Sequence, residues 1–84
     1  MKYIIFKDTV SGLIQPILFG EHTTHSMVKI FRAEPISAGF FDFNKGIPSV
    51  YGESDSLKLE SKETDLDYIT KMFLNLGTMY FIDF

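Results

Sequence analysis

Not one cysteine occurs among the 84 residues, and shortness combined with that absence constrains the fold more than any motif does. A domain of this length buries only about 60% of the surface its unfolded chain exposes, so it is marginally stable without help. Disulfides and thiolate metal sites are excluded as that help. Apolar burial must supply it: 45% of the residues are hydrophobic, with nine Phe and four Tyr. This is the composition of one packed domain spanning 1–84, not of a disordered chain. So many rings exceed what one small core hides, which predicts an apolar surface patch and with it a protein partner or a second copy of the chain.

Patterning divides the chain into short elements. β-branched and aromatic residues from Lys2 to Phe6, turn chemistry at Asp8, Ser11 and Gly12, and an apolar run over 13–19 predict a hairpin. Pro16 cannot donate to a ladder, so its strand lies at a sheet edge or carries a bulge. Thr23, Thr24 and Ser26 before Met27, Val28, Ile30 and Phe31 read as the cap and two turns of an amphipathic helix that ends before Pro35. A second hairpin is expected around Asn44 and Gly46. In its first arm Ile36, Ala38 and Phe40 share one parity while Phe41 and Phe43 share the other, so either both faces of the strand are buried or a bulge near Gly39 switches the phase; the bulge is the preferred reading.

After Gly52 the composition turns polar, predicting a loop with a short extended piece at 57–59. A second helix follows, capped by Ser61 or Thr64, with Glu63, Asp65 and Asp67 at the positive end of its dipole. Leu66, Ile69, Phe73 and Leu76 recur on one face, and Gly77 supplies the stop. Residues 78–84 are β-prone. The expected fold is α+β: a mostly antiparallel sheet of four to five strands with two helices, in the order β-β-α-β-β-α-β.

Charge narrows the function. Eight Lys and Arg stand against eleven Asp and Glu, a net charge of −3. Nucleic-acid binding thereby loses its main attractive term. Arg32 is the one arginine and the lysines are scattered, which argues against an anionic membrane surface. The apolar run near Lys2 is far shorter than a signal or spanning segment, so a cytoplasmic protein is expected.

The residues announce no chemistry. Glu21, His22 and His25 are the one cluster of metal-capable types, and they could begin a Zn²⁺ or Fe²⁺ site of a small metal-dependent enzyme if a third element contributed a ligand. The plainer reading puts both histidines in a solvated loop and helix start. Glu53, Ser54, Asp55 and Ser56 carry hydroxyls and carboxylates, and His22 or His25 could serve one of these serines as a base, but no strand-turn-helix elbow surrounds either serine. Such runs are usually loops that hydrogen-bond their own backbone. Isolated glycines make no phosphate cradle, and no cofactor is expected.

Certain words in the chain, Ser37-Ala38-Gly39-Phe40, then Gly52-Glu53-Ser54 and Ser56-Leu57, with 24–28 and 65–72, resemble short uncharacterised proteins of tailed bacteriophages and prophages. No activity attaches to that family, so no catalytic residue is carried over. The resemblance implies an accessory role in the host cytoplasm, such as binding or inhibiting a host defence protein. Acidic side chains at Glu60, Glu63, Asp65 and Asp67 could then mimic phosphates, although Lys58 and Lys62 dilute their field. The leading expectation is a non-enzymatic protein-interaction module and a homo-oligomer, with Phe40, Phe41, Phe43, Phe81 and Phe84 as its apolar contacts.

Overall fold

A computed structural model of the chain describes residues 1–76 and 81–82. Its centre is β1 (Lys2–Asp8), whose Ile4, Ile5 and Phe6 point alternately to two covered faces and are essentially unexposed. β2 (Ile14–Phe19) pairs antiparallel on one side of β1 and β3 (Ala33–Asn44) on the other. β4 (Ile47–Tyr51) closes a hairpin with β3, giving the antiparallel order β4-β3-β1-β2. β5 (Glu53–Ser54) and β6 (Leu59–Glu60) form a separate two-residue ladder. The helix α1 (Glu63–Leu76) follows, and β7 (Phe81–Ile82) adds a short parallel pairing to Leu18 and Phe19 of β2. The class is α+β, as expected, with one helix rather than two among the described residues.

The missing helix is a finding about residues 24–31. Only a single 3-10 turn forms, His25–Met27, closed by Met27 N–H to the Thr24 carbonyl and Val28 N–H to the His25 carbonyl. At Val28 the backbone is extended, and Val28 is buried, Lys29 exposed and Ile30 half-buried before a turn at 31–32. Those spacings fit a strand-like period of two as well as a helix. A helix this short repays little of its nucleation cost, and the open face of the sheet selects the extended form.

The bulge also lies elsewhere. The β1–β3 register shifts between Ile5, opposite Ser37, and Phe6, opposite Pro35, which leaves Ile36 as the extra residue; Gly39 sits in regular register opposite Tyr3. The middle of β3 is buried on both faces, and that, rather than a bulge near Gly39, accounts for its mixed parity. Gly39 is required for a different reason. A Cβ there would stand 2.6 Å from the Tyr51 carbonyl oxygen.

The two turns follow their residues. Lys45 and Gly46 both take positive φ, 55° and 82°, the condition of a two-residue primed turn. In the first hairpin the Asp8 carboxylate accepts the Val10 and Ser11 N–H groups at 2.8 and 2.9 Å. Pro16 lies opposite Ile5, and β7 pairs with β2 only beyond it, so no described strand asks for the donor proline lacks.

The sheet has two covered faces. On one, Tyr3, Ile5, Leu18 and Phe41 meet Leu66, Ile69 and Met72 of α1. On the other, Ile4, Phe6, Phe19 and Ala38 are covered by irregular chain, Val28 and Ile30 from one segment and Leu57 and Leu59 from another. Each fully buried side chain of this kind contributes about 1.5–3 kcal/mol. The expected helix stop at Gly77 and the strand residues 78–80, 83 and 84, Phe84 included, lie outside the described residues.

Candidate functional site

The start of α1 corrects the acidic assignment. Asp65, grouped above with the surface carboxylates, is 1% exposed. Its Oδ2 accepts the Tyr3 hydroxyl at 2.6 Å and the Lys62 N–H at 2.9 Å, and its Oδ1 accepts the Ser37 hydroxyl at 2.7 Å. The helix is therefore capped from its own third position, through the backbone of the residue before it, rather than by Ser61 or Thr64. Burial, then the bond to Asp65, pushes the Tyr3 hydroxyl far above its ordinary pKa. Asp65 is a structural anchor and not a partner-facing charge. Glu60, Glu63 and Asp67 remain exposed.

The aromatic assignments divide in the same way. Phe41 is buried beneath α1 and leaves the contact set. Phe40 is half-buried, its ring stacked on Tyr51 at 5.7 Å. Phe43, Ile47 and Tyr51 are 53%, 68% and 51% exposed on the β3–β4 hairpin. Phe81 contributes backbone pairing to β2.

The metal cluster does not assemble. Glu21 lies in the open, 3.4 Å from the N-terminal ammonium, and His22 is exposed. His25 turns inward to 4% exposure, edge-on to the rings of Phe19 and Phe40. Its Nε2 lies 2.9 Å from the Gly39 carbonyl, which can only accept, so Nε2 carries the proton. Desolvation lowers the His25 pKa, keeping the ring neutral. Among the described residues no group of three or more His, Cys, Asp or Glu side chains could hold a metal ion.

Two clefts flank the β5–β6 loop. One, of about 220 Å³, opens over His25 and is walled by Lys2, Phe40, Glu53, Asp55 and Ser56. The other, of about 470 Å³, lies between the same Glu53 and Asp55 and the Ile36, Glu60 and Lys62 side. Of the two histidines that could act as a base toward Ser54 or Ser56, His22 is exposed and lines neither cleft. The fold brings His25 and Ser56 to one cleft, while Ser54 is buried and its hydroxyl accepts the Leu57 N–H at 3.3 Å. Lys2 was missed, and nothing local marks it: only the β1–β3 register, Lys2 opposite Phe40, carries it there.

No protein-family model, curated protein or solved structure matches the chain. No helix among the described residues is long and apolar enough to cross a membrane.

Proposed function

We propose that the chain is a non-enzymatic protein-interaction module whose contact surface is the β3–β4 hairpin. The observation that carries this reading is the exposure of Phe43, Ile47 and Tyr51, each more than half open to solvent, on the β3–β4 hairpin at the sheet edge. Rings and branched side chains of this size are what interface centres are made of. Pro48 removes one backbone donor from the β4 edge, so side chains rather than indiscriminate strand addition do the recognising. The resemblance to short phage proteins supplies a setting, the cytoplasm of an infected bacterium, and a kind of partner, a host protein whose activity is modulated. Glu60, Glu63 and Asp67 are exposed, and their negative charge would speed encounter with a basic partner.

Photo-crosslinking from position 47 in host lysate tests the reading. One discrete crosslinked partner is expected, either a host protein or a second copy, and it should vanish in the Phe43→Ser, Ile47→Ser, Tyr51→Ser variant while the far-UV spectrum is kept. Crosslinking from Phe31, at the far end of the sheet, with none from position 47 would overturn the assignment.

A further inference from the structure

The backbone of β4 discriminates among the partners its hairpin could meet. We infer that two copies of the chain join there, β4 against β4, antiparallel about a twofold axis at Val50. The inference rests on the β3–β4 hairpin being the contact surface, and it names what meets that surface.

β4 stands at the end of the sheet order, with β3 on one side and no described strand on the other. Asn44 and Ile47 flank the two-residue turn, which makes them a hydrogen-bonded pair. Alternation along the ladder then makes Phe43–Pro48 and Phe41–Val50 non-hydrogen-bonded pairs, so the backbones of Pro48 and Val50 face away from β3. Pro48 offers only a carbonyl. Val50 is the one residue of β4 that presents both a donor and an acceptor outward.

Edge strands are ordinarily guarded by charge, and no charged side chain lies between Gly46 and Gly52. Pro48 is the remaining guard, and it blocks some registers while leaving one open. An axis at Ser49 would set each Val50 opposite a Pro48 that cannot donate, leaving both Val50 carbonyls without a partner. An axis at Val50 lets the two valines exchange both bonds. Pro48 then faces Gly52, whose carbonyl already accepts the Ser61 N–H at 3.0 Å and has no need of the proton that proline lacks.

The side chains favour a second copy over an unrelated strand. Ile47 and Tyr51, four residues apart, share one face of β4 and are exposed. In this register Tyr51 of one copy stands opposite Ser49 and diagonal to Ile47 of the other, within the reach of a ring, so the exposed apolar groups cover each other. Lys45 precedes β4 and Glu53 follows it, so antiparallel pairing brings the cationic end of one copy to the anionic end of the other at both ends of the seam. A seam this short belongs with small, transient interfaces, and the dimer should come apart on dilution.

Sedimentation velocity from micromolar to millimolar concentration tests the pairing, and a reversible monomer–dimer equilibrium is expected. Val50→Pro removes the outward donor and should weaken association at least about tenfold. The β3–β4 ladder takes no bond from the Val50 N–H, so the hairpin should survive a proline at this edge position. The register is read separately by mixing a Ser49→Cys chain with a Tyr51→Cys chain under mild oxidation, without background because the native chain has no cysteine. Opposed non-hydrogen-bonded residues stand about 4.5 Å apart at Cα, within disulfide reach, so the mixed dimer should form faster than either chain links to itself. This trap does not depend on how well Val50→Pro folds. A strict monomer at millimolar concentration, an equilibrium untouched in a folded Val50→Pro variant, or Ser49→Cys linking to itself as fast as to Tyr51→Cys would overturn the proposal. A strict monomer that still crosslinks a host protein from position 47 would lose the dimer and keep the hairpin as contact surface, so the two readings fail separately.

Discussion

The two faces of the sheet are covered by different means. One carries a 14-residue helix; the other carries a 3-10 turn, extended chain and a two-residue ladder. A helix satisfies its own backbone and needs only to be anchored, and Asp65 does this at one point by joining Tyr3 of β1, Ser37 of β3 and the first turn of α1. An irregular cover must find partners for its backbone and side chains one at a time, and it leaves gaps. The cleft over His25 is such a gap. The helical face is therefore anchored at one point, while the irregular face is held by many separate contacts and leaves clefts between them.

Breaking the anchor should have the largest effect. Asp65→Ala leaves the Tyr3 hydroxyl, the Ser37 hydroxyl and the Lys62 N–H unsatisfied in or near the core, and each orphaned buried group costs about 1–3 kcal/mol. A loss of about 3–5 kcal/mol in urea unfolding is expected, close to the whole stability of a domain this size. Asp65→Asn keeps one acceptor oxygen and should retain part of it. If Asp65→Ala unfolds at the wild-type midpoint, the helical face is held by apolar packing alone.

The next effect tests where the two covers converge. Gly39→Ala puts a methyl against the Tyr51 carbonyl at 2.6 Å and the Ser61 Cβ at 3.0 Å, and neither is the flexible end of a side chain. Overpacking of this kind costs about 1–3 kcal/mol. Relief of that clash displaces the backbone of residue 39, whose own carbonyl holds His25, so the His25 Nε2 resonance should move as well. A stable Gly39→Ala variant with an unmoved resonance would show that β3 and β4 separate easily there.

How much of this was legible in the sequence follows the same division. α1 announced itself through Leu66 and Ile69, one turn apart, and the hairpins through Gly12, Asn44 and Gly46, because those signals are local. Asp65 was read as a surface charge since its helical first-turn position is also where exposed acids sit; what buries it is Tyr3, 62 residues away in sequence. Val28 and Ile30 were read as helical because positions two apart fit both periods once Met27 and Phe31 are counted, yet Met27 and Phe31 are exposed. His25 was recognised as chemically capable, but its direction depends on the Gly39 carbonyl, which only the β1–β3 pairing brings near.

A smaller effect sharpens the irregular face. The His25 pKa is lowered in the folded chain by desolvation, so below about 6.5 the unfolded chain binds the proton more readily and unfolding is favoured. Stability attributable to the neutral ring is present in full above that value and is lost as pH falls toward the folded pKa. His25→Phe keeps an aromatic wall between Phe19 and Phe40 and gives up the bond to Gly39, at about 1 kcal/mol. Its melting temperature should be lower than wild type at pH 7, with the gap narrowing as pH falls through that window. A constant gap would mean that the ring is solvated and the irregular cover is loose.

The smallest effect belongs to Asp8, and it separates chemistry from location. Asp8, like Asp65, is a carboxylate that accepts backbone hydrogen bonding, here from the Ser11 and Val10 N–H groups, and these bonds hold its carboxyl below the usual carboxylate range. Its donors are two backbone N–H groups, where the buried anchor takes one backbone N–H and two hydroxyls, and water stands ready to replace both. Asp8→Ala should therefore lower the melting temperature less than His25→Phe does. The difference should be full at neutral pH, above the unfolded carboxyl's value near 3.9, and disappear as acid protonates Asp8 through its depressed folded pKa. Asp8→Asn should restore most of it, because the side-chain oxygen that accepts both N–H groups is kept. If Asp8→Ala instead destabilised as much as Asp65→Ala, solvent access would not be what sets the two aspartates apart, and the contrast between the faces would have to rest on the turn geometry of the first hairpin.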